Sequence, residues 1–244
     1  MGRRLTVGKK KWVVSTERDR SMFRFVSEQK FATREQLARR FFPNAQAEPT
    51  RPLRVCYRRL LELRQFGLLE CRPVVLGGAL LYQATRLALG ELALAGETPL
   101  PYLDHIDLRT FEHDRRVTDV RVALEWLGAT EWRSERSLLH RGWRGHPPDA
   151  TFAIGRTKLA LELELSLKRK DRYEDIFRGY ARDPGRLVLY LCATPGMRRA
   201  LLRTAARSPE PSLFYFGLWD EWAEKEAACE LEGRRESLRL LDLL

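Results

Sequence analysis

The stretch KLALELELSLK, residues 158–168, sets charged side chains behind a stripe of leucines. Leu159, Leu161, Leu163, Leu165 and Leu167 fall on one side of a period-two strand. Lys158, Glu162, Glu164 and Lys168 fall on the other, with Ala160 and Ser166 between them. Immediately upstream, DATFAI (149–154) is a second strand, and Gly155-Arg156 between them has the form of a two-residue hairpin turn. That turn sets Ile154 opposite Thr157, Ala153 opposite Lys158, Phe152 opposite Leu159 and, at the far end, Asp149 opposite Glu162. Opposed residues have Cβ atoms about 4.5–5.5 Å apart, and the diagonal Glu164 falls about 7–8 Å from Asp149.

Three carboxylates at such spacing repel one another and need a proton, a basic partner or a divalent cation. Mg2+ or Mn2+ held by Asp149, Glu162 and Glu164 beside a phosphate is the arrangement that cuts phosphodiester bonds through a metal-activated water. Lys168 or Lys158 would then steady the scissile phosphate or orient the water. The competing expectation is a solvated strand face on which both lysines form ordinary surface ion pairs. The leucine stripe argues for a central strand, where idle carboxylates are rare.

Positioning such a hairpin requires a sheet with helices on it. A helix is expected over 107–128, strands at 131–139, 149–154 and 158–168, a polar helix at 168–183, and an apolar strand at 186–194. A helix at 196–207, a strand at 212–220 and a charged tail follow. This order predicts an α/β unit with a mixed central sheet over 104–244. Tyr173, Tyr180 and Arg172 lie on the polar helix, either packed on the sheet or, with Lys168, Arg169 and Lys170, on a ridge that contacts a nucleic-acid backbone.

The first part of the chain has a different grain. Met22, Phe23, Phe25 and Val26 are spaced for one helix, and Thr33 with Gln36 three residues later forms a capping-box signal for a second. In the third, Leu53, Cys56, Tyr57, Leu60 and Leu61 form an inward stripe, with Arg51, Arg54, Arg58 and Gln65 opposite, and Gly67 closes the helix. Two extended pieces meet at Gly77-Gly78, and a helix over 85–96 follows. Three helices, a hairpin and a closing helix are the order of a winged helix-turn-helix, whose third helix enters the major groove while its wing touches the flanking backbone. Arg51, Arg54 and Arg58 are the groove-facing candidates, and Arg72 and Arg86 lie near the wing. The expected organisation is thus a basic lead (1–14), a winged helix (15–96), a linker containing two prolines (97–103) and the α/β unit (104–244).

Bulk properties agree with a polyanion partner. The formal net charge is +11 and the sequence pI about 9.9. No apolar run reaches the ~18 residues of a membrane span, and the basic N-terminus lacks the core of a signal peptide, so a cytoplasmic location is expected. Cys56, Cys71, Cys192 and Cys229 lack paired spacing and are expected as free thiols. The adjacent His113-Asp114, with Asp119, has the look of a metal-dependent phosphohydrolase motif, but the other histidines supply no matching ligands.

The string PPDATFAIGRTKLALELELSLK resembles the P-D…(D/E)-x-K signature of restriction-endonuclease-like nucleases. The resemblance aligns Asp149 and Glu162 with the two acidic positions and puts Glu164 where that family has lysine, leaving Lys168 displaced. It also implies an acidic residue from the preceding helix, with Glu125 or Asp119 as candidates. Over most of the chain, the winged helix, HDRRVTDVRVALEW, PDA, LELELSLKRKDRYEDIFRGY and LVLYLC together resemble the replication-relaxation family of plasmids and other mobile elements. That resemblance implies double-stranded DNA and other replication or transposition proteins as partners, with no membrane and with a homodimer left open. It implies a DNA-binding role in replication, relaxation or mobilisation. The alternatives are an Mg2+- or Mn2+-dependent endonuclease or nickase using Asp149, Glu162 and Glu164, and a non-catalytic assembly factor.

Overall fold

The computed structural model describes residues 15–43, 51–73 and 80–244, with side chains from residue 53 in the second stretch. The lead up to residue 14, the Gly77-Gly78 turn and the Arg51 side chain lie outside the described residues. The chain begins with α1 (Glu17–Glu28), β1 (Ala32–Thr33), α2 (Arg34–Phe41), α3 (Arg51–Gln65), β2 (Leu69–Pro73), β3 (Leu80–Ala84) and α4 (Arg86–Leu94). Thr16 and Asp19 form a capping box on α1, and Thr33 and Gln36 form the expected one on α2. Gly67 ends α3 in the left-handed region (φ +72°). Its N–H donates to the Arg64 carbonyl and that of Leu68 to the Leu63 carbonyl, a Schellman closure.

Two details of the first unit differ from expectation. Tyr57 is 41% exposed, and Leu63 takes its place in the core beside Cys56 and Leu60. The hairpin gains a third strand, giving the order β1-β3-β2. β1 is only two residues long and its second residue, Thr33, is itself the α2 cap, so no alternation announces it.

The second unit contains α5 (Phe111–Trp126), β4 (Thr130–Ser134), α6 (Glu135–His140), β5 (Ala150–Ile154), β6 (Thr157–Glu164), α7 (Lys170–Ala181) and β7 (Leu187–Cys192). It continues with α8 (Pro195–Ala205), β8 (Phe214–Leu218), α9 (Trp219–Lys225), β9 (Leu231–Glu232) and β10 (Ser237–Leu238). Its seven strands lie in the order β10-β9-β8-β7-β6-β5-β4. β4, β5 and β6 are antiparallel, β6, β7 and β8 parallel, and β8, β9 and β10 antiparallel, so the sheet is mixed as expected. β6 is an interior strand with partners on both sides.

Both faces of this sheet are covered. Leu159, Leu161 and Leu163 pack with Val117, Val120 and Leu124 of α5 and with Trp222, Leu231 and Leu240. Ala160, Val188 and Tyr190 pack with Tyr173, Phe177 and Tyr180 of α7 and Met197 and Leu201 of α8. Three expectations are corrected. The strand at 131–139 stops at Ser134, whose hydroxyl accepts from the Ser137 N–H and caps α6. The strand at 158–168 stops at Glu164, the last residue paired with β7, so Leu165 is only partly buried and Leu167 is 59% exposed. The charged tail folds back: β9 joins β8, and Leu231 and Leu240 are fully buried.

α5 serves both units. Val122 is part of the first core, while its neighbours Val120 and Leu124 belong to the second. Lys30 pairs with Asp114 (2.8 Å), Gln36 donates to Asp119 (2.7 Å), and Arg121 joins Glu28 (2.7 Å) to Glu125 (2.9 Å). Phe31 stacks on Phe111 with centroids 5.4 Å apart. Residues before and after the 97–103 segment are thereby locked together.

Candidate functional site

The hairpin register is the one the turn dictates: Ile154 faces Thr157, Ala153 faces Lys158, and Phe152 faces Leu159. Gly155 sits at φ +55° with the Leu243 carbonyl oxygen only 2.7 Å from where a Cβ would stand, so the turn admits no side chain there. At the other end the pairing stops at Ala150 opposite Leu161, and the Asp149 N–H also donates to the Leu161 carbonyl (3.0 Å), a one-residue shift that ends the register before the expected pairing of Asp149 with Glu162.

Each carboxylate has its own partners. Asp149 Oδ2 accepts from the Leu163 N–H (2.7 Å) and lies 3.2 Å from His113 Nε2 on α5. Glu162, 3% exposed, accepts a 2.5 Å hydrogen bond from the Tyr180 hydroxyl. His146 Nε2 lies 3.4 Å from Glu162 as a charge contact without hydrogen-bond alignment. Glu164, equally buried, is bound by Lys168 Nζ at 2.6 Å. The Lys168 N–H in turn donates to the Tyr173 hydroxyl (3.1 Å), which holds the turn after the strand so that the lysine reaches back.

The electrostatics follow from burial and these contacts. Burial pushes the Glu162 carboxyl above its ordinary range, and the Asp149 charge adds to this, while His146 and Tyr180 oppose it. Burial would lower His113, but its contacts with Asp114 and Asp149 outweigh that and raise it to about 10. The Glu162 contact raises His146 against the effect of burial. Burial and Glu162 together push the Tyr180 phenol well above its ordinary value. Across the strand pairing from Glu162, Tyr190 keeps a fully buried hydroxyl without a partner among the described residues.

Asp149, Glu162 and Lys168 are therefore brought to one end of the sheet. The helix carboxylates are not: Glu125 is tied to Arg40 and Arg121, and Asp119 to Gln36 and Arg115, at the contact with the first unit. Lys158 lies at the opposite end of β6. On α3, Arg54 and Arg58 are exposed. Arg72 pairs with Glu70 (3.1 Å), and Arg86 pairs with Asp104 (2.8 Å) while covering the Tyr102 ring.

Three residues of the site escaped the sequence reading as partners of the carboxylates: His113, His146 and Tyr180. His146 stands just before Pro147-Pro148-Asp149, and Tyr173 and Tyr180 are spaced i, i+7 on α7, which places both hydroxyls on the sheet-facing side. Those two spacings were available signals. His113 gave none, since only the packing of α5 brings it to Asp149.

As arranged, these side chains do not form a ready ligand set for Mg2+ or Mn2+. Among the described residues, no group of three or more His, Cys, Asp or Glu is placed to hold a metal ion. One oxygen of Glu164 is bound by Lys168 and one of Glu162 by Tyr180, donors with which a hard cation would compete. The arrangement sets three carboxyls against hydrogen-bond donors from different elements, the Leu163 N–H at Asp149, Tyr180 at Glu162 and Lys168 at Glu164.

No curated protein and no solved structure matches the chain. A family model described as replication-relaxation matches residues 23–186, more than half of the 244 and including the second half of α1, all of α2 and α3, and the β5–β6 hairpin with Asp149 and Glu162. The chain belongs to the replication-relaxation family.

Proposed function

We propose that this protein binds the DNA of a plasmid or other mobile element and acts in its replication, relaxation or mobilisation. The first unit serves as a winged helix that holds duplex DNA, and the second is a nuclease-like domain that carries the carboxylate site. The observation that carries the reading is Asp149, bonded to the Leu163 N–H, beside buried Glu162 at the end of an interior hairpin, in a unit of order α5-β4-α6-β5-β6-α7-β7 that contains the helix, hairpin, crossover helix and buried strand expected of a restriction-endonuclease-like core. The exposed Arg54 and Arg58 on α3 support the duplex-binding half, as does the overall charge of +11.

Replacing Arg54 and Arg58 together with alanine is expected to weaken duplex binding about tenfold and to reduce the slope of log affinity against log salt by about 2. Fluorescence anisotropy over a salt series reads both. Unchanged affinity and slope would remove α3 from the interface.

One observation favours a catalytic version: the lysine displaced from the strand in sequence is returned by the turn, with Nζ 2.6 Å from Glu164. That version requires the ion to take Glu164 from Lys168 and Glu162 from Tyr180; supercoiled plasmid incubated with Mg2+ or Mn2+ is then nicked, and Glu162→Ala abolishes the nicking. Nicking that survives the substitution, or none with the wild-type protein, leaves a DNA-binding protein that does not cut.

A further inference from the structure

We infer that the groove between the 143–147 loop and α7 binds an unpaired DNA strand and leads it to Glu162. The inference rests on the proposal that the second unit acts on DNA. The groove encloses about 900 Å3 and is lined by Trp143, Arg144, His146, Arg172, Tyr180 and Arg182, among others. Two of these, His146 and Tyr180, are the groups that contact Glu162, so one wall of the groove is also the outer wall of the carboxylate site.

Its charge is arranged for a polyanion. The two acidic residues on the lining, Asp175 and Asp183, are matched by Arg178 (2.6 Å) and Arg186 (3.6 Å). Arg144, Arg172 and Arg182 are exposed, and among the described residues their side chains make no hydrogen bond or ion pair. Three unpaired guanidinium groups around one concavity repel each other and favour an anion between them.

An aromatic wall completes the recognition. Trp143 is half-buried and pinned at its edge by a hydrogen bond from Nε1 to the His146 carbonyl (3.2 Å), with the Arg186 guanidinium 5.4 Å from its ring. Trp143 and Arg186 also line an adjoining groove of about 340 Å3, which adds Arg133, Arg141 and Lys158. The two grooves form one basic track that turns about an aromatic side chain. A track of phosphate-binding arginines with a base-stacking surface is the chemistry of single-strand binding. The volume is that of a small-molecule site, far below what a duplex occupies, so the strand enters without its complement.

The test uses the full chain, a fluorescein-labelled oligothymidine and, separately, a labelled duplex. The double substitution Arg172→Ala with Arg182→Ala is expected to weaken oligothymidine binding roughly tenfold and to lower its salt slope by about 1.4, the share of two phosphate contacts. Trp143→Ala is expected to cause a similar loss with the slope unchanged, because stacking carries no counterion release. Duplex affinity stays at the wild-type value in both, since α3 is untouched. Oligothymidine binding that survives the arginine substitutions overturns the inference, as does its absence from the wild-type protein. Should the wild type bind oligothymidine through these arginines but ignore duplex, the groove stands and the duplex-binding half of the proposed function falls. If Trp143→Ala lowers the melting temperature, the arginine pair, exposed and without partners, still decides the matter.

Discussion

Replacing Asp19 with alanine will lower the stability of the protein by about 3–5 kcal/mol, the cost of removing one member of a buried ion pair. Asp19 is fully buried in α1 and has four donors. The Thr16 N–H (2.8 Å) and hydroxyl (2.7 Å) both donate to Oδ2, and Arg59 donates to Oδ1 from Nε (3.0 Å) and to Oδ2 from Nη2 (2.5 Å). Burial alone would raise its carboxyl, but the hydrogen bonds from Arg59 and Thr16 hold it below the ordinary carboxylate range. Its contribution is therefore present above the unfolded value near 3.8 and is lost as pH falls through the lower folded value.

Arg59 lies on α3, so the pair ties the proposed DNA-reading helix to α1, and the substitution should reduce duplex affinity along with stability. Urea denaturation of Asp19→Ala, Arg59→Ala and the double variant measures the coupling. The double variant is expected to lose much less than the sum of the two singles. A loss below about 1 kcal/mol for Asp19→Ala would place the α1–α3 connection elsewhere.

Glu162→Gln is expected to do the opposite and stabilise the protein by about 2 kcal/mol at neutral pH, within the range seen when a strained functional site is relieved. The amide keeps an oxygen for the Tyr180 hydroxyl and removes a charge that burial and Asp149 both oppose. Because burial raises the folded-state value of Glu162 above the ordinary 4.5, its ionisation destabilises the fold. That penalty is absent below the unfolded value and grows as pH rises through the folded one. The gain from glutamine should follow the same course, vanishing below about pH 4.5 and reaching its full size once wild-type Glu162 is ionised. Melting temperatures of both proteins across pH check this. An equal or lower melting temperature for Glu162→Gln at neutral pH would mean that His146 and Tyr180 fully compensate the buried charge.

Such a gain would bear on the proposed role. On the proposed role, a carboxylate that costs stability at 3% exposure, beside a Tyr190 hydroxyl without a partner among the described residues and at the end of a basic groove, would be explained by what it does for a ligand. The alternative, a purely structural Glu162, expects the pair with His146 and Tyr180 to be net stabilising, and the two expectations have opposite signs.

Local rules written in the sequence were enough for the parts of this protein governed by near neighbours. The Gly155-Arg156 turn determined the hairpin register from Ile154–Thr157 to Ala150–Leu161, since a two-residue turn leaves one register that keeps the leucines together, whereas the Asp149 N–H bond to Leu161 ends it one residue short of an Asp149–Glu162 pair. The capping box of α2, the Gly67 terminus of α3 and the interior place of β6 followed in the same way from short-range hydrogen bonding and alternation. Tertiary structure decided what depends on distant segments meeting. Glu164 ended the strand because β7 offers no further partner, which turned Lys168 from a strand residue into a side chain reaching back from the next turn. Docking of α5 delivered His113 to Asp149 and withdrew Glu125 to the first unit, a choice between two ends of one helix that its own periodicity does not make. Packing of α7 supplied the Tyr180 hydroxyl, and the folded tail closed over the leucine face. Backbone geometry carries over only a few residues, so a single strand could announce its carboxylates, while their partners, drawn from helices tens of residues away, were set by the packing of the whole core.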